Sequence, residues 1–573
     1  MVEPTLTTSH GLRIAIEGCG HGVLHSIYAS VAAACQRANW PGVDLLIIGG
    51  DFQSVRNADD LACVSMPPKY RSMQDFHEYY SGARQAPYLT IFVGGNHEAS
   101  NYLFELHYGG WVAPNIYFMG AANVVRVGPL RIAGMSGIWK GYDYRKPHHE
   151  RLPYNSDDVK SVYHTREVDV RKLLAVRTQL DVGVSHDWPK GIEWEGDHAK
   201  LFRKKDHLEQ DAKEGRLGNT AAKMVMDRLR PRYWYSAHLH IKFSAIVRHE
   251  GAKAESKEEK ALAATNQAAD KNADEIDLDM DEDTGAPTTN GHATTPVENT
   301  DEIDLDLDED EDDVAATAQA NSELHGANGA PEPVTEEPPP PASEVSDSLR
   351  AQLPEAFTRP KTPPPESLPF PSGITNTTTK FLALDKCLPN RDFLQLSAID
   401  TDQVVEESQR PLKLYYDKEW LAITRVFASE LVVGDPSAQV PAHKGEAHYR
   451  PLIKEEEQWV EEHLVKAEKM QVPDNFQITA PTYDGQGIEN VQMPREYSNN
   501  QTKDYCQMLE IPNPFDISEE EKDARMKRGP RPEEARGNRG GRGGFGRGGG
   551  RGRGGGGGRG GFGRGRGRRG GRW

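Results

Sequence analysis

The sequence predicts an α/β fold: a sheet packed by helices, a small C-terminal domain after it, and long disordered segments between and beyond them. Two observations carry the ordered part. From Gly11 to about Arg248 short apolar runs alternate with helix-compatible stretches, the order that builds a sheet covered by helices. Several of those runs stop at a Gly or Ser turn that delivers an Asp, Asn, Cys or His, and in such sheets ligands gather at the carboxyl ends of strands. The third observation is compositional. Apolar residues make up 36% of the chain, with 55 Gly and 38 Pro in 573 residues, so much of it is not core.

The first strand candidate, Ile14-Ala15-Ile16, ends in Glu17-Gly18-Cys19-Gly20-His21 and precedes the helix-compatible stretch Val23 to Arg37. Leu45-Leu46-Ile47-Ile48 ends in Gly49-Gly50-Asp51. Tyr88-Leu89-Thr90-Ile91-Phe92-Val93 breaks at Gly94-Gly95 and delivers Asn96, His97 and Glu98 together. Val182-Gly183-Val184-Ser185 leads to His186, Asn219 to Arg230 again suits a helix, and Tyr233-Trp234-Tyr235-Ser236-Ala237 ends in His238-Leu239-His240. Residues 1–250 are therefore the expected catalytic domain.

Residues 251–373 read as a disordered acidic and Pro-rich linker. The decamer Asp274 to Asp283 recurs at Asp301 to Asp310 with Leu307 for Met280, and the stretch Gly251 to Arg350 carries a charge of −23. High charge with few aromatics cannot bury enough surface to offset chain entropy. The decamers read as a solvating spacer, the alternative being a docking motif for a basic protein partner. Order is expected again over 374–515, with a strand at Lys380 to Asp385, core-like Tyr415 to Phe427, and helical spacing from Glu455 to Met470. Residues 516–573 form a disordered tail with RGG repeats from about 536. From Arg536 on there are 12 Arg and no acid, so the net charge of −19 conceals −31 on the rest. Arg for phosphates and stacking, with Gly for flexibility, suits sequence-tolerant RNA binding, against the plainer reading of a solubilising tail.

The five cysteines are scattered and form no CxxC, and no signal-like apolar N-terminus precedes them, which favours a reducing intracellular compartment. No run of about 18 apolar residues occurs, so no membrane span is expected.

The strand-end residues Cys19, His21, Asp51, Asn96, His186, His238 and His240 form one constellation. A dinuclear metal site needs a carboxylate that bridges two cations and O, N or S donors to complete each shell, and Asp51 is the natural bridge. A lone strand-end His is usually structural; seven such residues in this order are not. The order resembles that of the calcineurin-like metallophosphoesterases, DxH, GD, GNH(D/E), H and GHxH, with Ala237 in place of the usual Gly and Cys19 in place of the first Asp. Longer stretches resemble the RNA lariat debranching enzymes: Gly18 to Gly22, Gly94 to Gly110, Trp111 to Tyr117, Ser136 to Tyr142, Arg145 to Glu150, Ser185 to Pro189 and Thr379 to Phe393.

This resemblance implies a metallophosphoesterase β-sandwich flanked by helices. It implies one metal site of Cys19, His21, Asp51 and His240 and another of Asp51, Asn96, His186 and His238, holding one or two divalent ions drawn from Fe²⁺, Zn²⁺ and Mn²⁺. His97 would act at the scissile phosphate with Glu98 orienting it. The softer Cys19 thiolate favours Zn²⁺ or Fe²⁺ over Mn²⁺. The implied substrate is branched intron lariat RNA, which places the protein in the nucleus. The stretch Gly137 to Tyr154 interleaves Trp139, Tyr142 and Tyr144 with Lys140, Arg145, Lys146, His148, His149 and Arg151, a composition that stacks on bases and meets phosphates. In the resembled family it is a lariat-recognition loop. The rival readings are a metallophosphoesterase for another nucleic acid or phosphoester, and a non-catalytic RNA-binding scaffold.

Overall fold

Strands β1 (Leu12–Glu17), β2 (Leu45–Ile48), β3 (Thr90–Phe92), β4 (Gly110–Ala113) and β5 (Ile116–Phe118) belong to one sheet, with β6 (Ala122–Val127), β7 (Leu130–Met135), β8 (Val182–Ser185), β9 (Tyr233–Ser236) and β10 (Phe243–Arg248) in a second. The computed structural model describes residues 11–249, 275–276, 368–401, 403–488 and 491–533. The second acidic decamer, the Pro-rich stretches and the RGG tail lie outside the described residues, so the expectations made for them do too. Of the first decamer only the short strand β11 (Glu275–Ile276) is described, paired antiparallel with Leu396 and Ser397.

Four further strands complete the sheets. With β12 (Thr378–Ala383), β13 (Leu394–Ile399) and β14 (Leu414–Tyr416), the first sheet runs β11-β13-β1-β2-β3-β5-β4 and the second β10-β12-β9-β8-β7-β6-β14. The first has a parallel centre from β1 through β2 and β3 to β5, and the second from β12 through β9 and β8 to β7. Parallel strands are covered on both faces, which is why β2 is Leu-Leu-Ile-Ile with every residue buried. Edge strand β10 instead alternates buried and exposed residues.

Period-two alternation assigns the faces. Ile14, Ile16, Leu45, Ile47 and Ile91 share one core with Ile132, Val182, Val184 and Trp234 of the second sheet. Their neighbours Ala15, Leu46, Ile48 and Phe92 pack instead on Leu24, Ile27 and Val31 of the helix Leu24–Arg37. The result is a sandwich of two sheets, with helices outside. Helices Glu167–Leu174 and Thr220–Leu229, the latter capped by the Asn219 side chain, cover the second sheet together with Lys418–Phe427.

The C-terminal domain is not a separate body. β12 lies between β9 and β10, β13 beside β1, and β14 at the edge beside β6, so the segment after the linker completes both sheets of the first. A buried ion-pair cluster joins them, Arg131 meeting Asp417 at 2.7 Å and Glu419 at 2.9 Å. The Gln501 side chain holds edge strand β4, accepting from the Trp111 N–H at 2.7 Å and donating to its carbonyl at 2.8 Å. The described residues up to Arg531 accordingly form one compact unit.

Two boundaries differ from expectation. The helix expected from Glu455 begins at Glu446, runs to Val460 and passes into a wider turn at Glu461–Val465. Pro451 near its start obscures the pattern. Order also continues beyond 515: the helix Glu519–Arg528, capped by Ser518, buries Lys522 against Glu519. Its highly charged sequence hides the docked face. Among the described residues no helix is long and apolar enough to cross a membrane.

Candidate active site

The parallel strands of both sheets end at the same place. β1 delivers Cys19 and His21, β2 Asp51, β3 Asn96 and His97, β8 His186, and β9 His238 and His240. Tight turns after each strand make the convergence. Gly50 has φ +126, and a Cβ there would fall 2.2 Å from His186 Nδ1; a Cβ on Gly95 would fall 2.2 Å from Asp51 Oδ1. His21, Asp51, His238 and His240 all take left-handed φ, from 41° to 65°. Such positions cost a non-glycine residue roughly 1 kcal/mol or more, and persist where surrounding structure imposes them for function.

Ligand atoms of Cys19, His21, Asp51 and His240 all lie within 4.8 Å of one another. His21 Nε2 and His240 Nε2 are 3.3 Å apart, and the His238 N–H donates to Cys19 Sγ at 3.2 Å. Asp51 spends Oδ1 on the His97 N–H at 2.8 Å, while Oδ2 faces His186 Nε2 at 3.4 Å and His21 Nε2 at 4.0 Å. On its other side His186 Nε2 meets Asn96 Oδ1 at 3.2 Å, and the His186 and His238 rings are 4.9 Å apart. Asp51 thus stands between two groups of donors. Burial opposes its charge, but His186, His97 and His21 outweigh that and hold its carboxyl well below the usual range. His186 donates Nδ1–H to the Gly49 carbonyl at 3.0 Å, which leaves the Nε2 lone pair for a ligand. Three imidazole-bearing turns, one thiol and one ionised carboxylate form a donor set that fits divalent cations.

His97 is oriented by its Nδ1–H on the Ser65 carbonyl at 2.9 Å, with Nε2 beside Asn96 Nδ2 at 3.2 Å. Glu98 lies below. Its carboxylate accepts from the Phe52 and Gln53 N–H at 2.8 Å and from Gly95 N–H at 3.0 Å, so it ties the loop after β2 to the loop after β3. Its orienting effect is on those two backbones. Burial first, then the Asp51 charge, raises its pKa to about 7.

Sequence reasoning missed three residues here. Gln53 meets His21 Nδ1 at 3.2 Å, Ser65 aims His97, and Glu17, wholly buried at the end of β1, has its pKa raised by burial and by Asp51. Glu17 was legible as the acidic residue that ends an apolar strand; Ser65 carries no signal, because its contribution is a backbone carbonyl.

The expected recognition residues divide. Tyr142, 53% exposed, and Arg145 and Lys146 face solvent, while Trp139, Lys140, Tyr144, His149 and Arg151 are half-buried. The Trp139 and Tyr144 rings lie 4.9 Å apart, and the Trp139 N–H meets Asp187 Oδ2 at 3.2 Å, next to His186. His148 turns inward, 6% exposed and bonded to Asp169 at 2.6 Å. Glu150 beside it pairs with buried Arg166 at 2.5 Å, so alternate residues of this loop anchor it and the others face out.

Family models match twice: Calcineurin-like phosphoesterase over residues 12–242, and Lariat debranching enzyme, C-terminal domain, over residues 376–514. The chain is 39% identical to the lariat debranching enzyme of Schizosaccharomyces pombe over 86% of its own length and 94% of that protein. It is 35% identical to that of Homo sapiens, over 87% and 69%, and 36% identical to that of Drosophila melanogaster, over 88% and 78%.

Proposed function

The chain belongs to the lariat debranching enzymes, and from that membership we propose that it hydrolyses the 2′-5′ phosphodiester at the branch point of excised intron lariat RNA, releasing a linear RNA. One observation carries the reading. The donors on both sides of Asp51 and the oriented His97 stand together at the strand ends of two sheets. Cys19, His21, Asp51 and His240 would hold one cation, and Asp51, Asn96, His186 and His238 a second. Divalent ions held there would supply positive charge to the phosphoryl oxygens and would make a water nucleophilic near neutral pH.

The chain's own residues do the rest. His97, aimed by the Ser65 carbonyl, carries a proton to the leaving 2′ oxygen or stabilises charge on the phosphoryl group. Glu98 keeps Asp51 and His97 in register by tying their loops together. Tyr142, Arg145 and Lys146 present stacking surface and charge to RNA outside the site, and His148 sets the loop that carries them. The thiol of Cys19 favours Zn²⁺ or Fe²⁺ at its site. A nuclear location follows from the substrate, and the RGG tail would add sequence-tolerant RNA affinity.

A phosphoesterase for other substrates and a non-catalytic scaffold are not favoured: 86% of the chain aligns with a debranching enzyme, and no candidate donor position holds an inert residue. The test is cleavage of a synthetic 2′-5′ branched RNA against its linear 3′-5′ counterpart, by wild type and His97→Ala, after chelation and add-back of Fe²⁺, Zn²⁺ and Mn²⁺. Branch-selective, metal-dependent cleavage that falls by about 10²- to 10⁴-fold in His97→Ala is expected. Equal cleavage of both RNAs would reject the substrate, and no cleavage with any metal would favour the scaffold.

A further inference from the structure

β13 gives its inner side to β1 along its whole length, Leu394 to Ile399. Among the described residues its outer side pairs only with β11, at Ser397 and Leu396. The unpaired N–H and C=O groups of such an edge are a template for another strand. β11 is Glu275-Ile276 of the first acidic decamer, and Glu302-Ile303 stands at the same place in the second. We propose that the outer edge of β13 is a docking site for the acidic repeat, and that Asp301 to Asp310 takes it in the same register whenever Asp274 to Asp283 leaves.

Sequence and register choose the occupant. Asp-Glu-Ile-Asp-Leu-Asp occurs unchanged at Asp274 to Asp279 and at Asp301 to Asp306, and from its second residue it alternates acid with aliphatic at the period of a strand. The pairing sets Glu275 opposite Ser397 and Ile276 opposite Leu396. The next two steps of the same register bring Asp277 opposite Gln395 and Leu278 opposite Leu394. Leu396 is buried, and Leu394 packs with it on the apolar face that the helix Leu24–Arg37 covers. The aliphatic positions of either copy thus fall opposite apolar residues. The acidic position falls opposite Gln395, whose Oε1 accepts from Lys242 Nζ at 3.4 Å, so a carboxylate there meets an ammonium.

Chain length sets the balance between the copies. The second decamer lies about twice as far along the chain from His249, just past β10, as the first does, and doubling a loop lowers its closure only about threefold. Both copies therefore compete for one edge, with the first favoured by about that factor. Two copies facing one edge keep it covered, which denies it to the strands of other chains.

The test is hydrogen–deuterium exchange of the full chain, read on peptides spanning Leu394 to Ile399. It compares wild type with Ile276→Pro, Leu278→Pro, with Ile303→Pro, Leu305→Pro, and with all four substitutions, because proline cannot join a ladder. Breaking the first copy should speed exchange of the outer amides about fourfold, breaking the second hardly at all, and breaking both tenfold or more, with the melting temperature unaltered. Lys242→Glu should speed exchange in wild type and leave the four-site variant as it is. Exchange as fast with the first copy broken as with both would show that the second does not take the edge. Unaltered exchange in every variant would show that neither does, and equal speeding by Lys242→Glu in both backgrounds would remove the charge contact that selects the repeat. Protection of wild type that rises with protein concentration would assign the edge to a second copy of the chain. Each of these overturns the proposal.

Discussion

Cys19 is buried at the end of β1, where its thiol stands among imidazoles and a carboxylate. Its Sγ accepts the His238 N–H at 3.2 Å and sits among His21, Asp51 and His240, so as a ligand there its softness would favour Zn²⁺ or Fe²⁺ over Mn²⁺. Cys19→Asp should retain the fold and move activity toward Mn²⁺ relative to Zn²⁺ and Fe²⁺. Activity measured after chelation and add-back of each ion checks this, and an unchanged metal profile would reject Cys19 as a ligand. A second residue sets part of the pH dependence. His107 is buried beside Asp169 at 3.6 Å, yet burial prevails over that attraction and lowers its pKa from 6.5 to about 4. Between these values the unfolded chain binds a proton that the folded chain refuses. The stability this residue contributes is thus present above pH 6.5 and lost as pH falls toward 4, by about 3 kcal/mol. Urea midpoints for His107→Gln should vary less over that range than those of wild type; equal slopes would reject the assignment.

At the scale of elements, the strands that end in a donor were legible because short apolar runs stop at glycine after β1, β2 and β3 and lead directly into His186 and His238 after β8 and β9. Helix Lys418–Phe427 was visible only as aromatic and aliphatic content, and the reason it docks where it does is polar. Its cap, Asp417, accepts the Trp420 N–H and also pairs with Arg131 on β7 and Arg126 on β6. Asp417→Ala would leave the buried Arg131 with Glu419 as its carboxylate partner and with the Thr178 carbonyl, and should cost about 3 kcal/mol in urea unfolding. A loss below about 1 kcal/mol would mean that apolar contacts alone seat the helix. His148 shows the opposite failure: its composition suggested a surface group, whereas Asp169, twenty-one residues later, draws it inside.

The described residues up to Arg531 come from two main stretches of chain that share both sheets. β12 fills the place between β9 and β10, and β13 that beside β1, so removing residues 368–533 would open both sheets along unpaired edges. Proteolytic nicking within 278–367 should therefore leave the two fragments associated. They should co-elute in native gel filtration and separate only in denaturant. Fragments that part without denaturant would contradict the shared sheets.

The sequence by itself determined which polar residues stand at the strand ends, Asp51 among them, and the likeness to debranching enzymes, because each is carried by a local pattern: an apolar run, a tight turn, an Asp, Asn, Cys or His. Only the tertiary structure decided that β12 and β13 enter sheets begun more than 130 residues earlier, that Ser65 aims His97, and that Glu98 ties two loops. Those relations depend on backbone carbonyls, on pairing across a linker, and on side chains that meet only when two sheets close. None of them leaves a period or a motif in the chain.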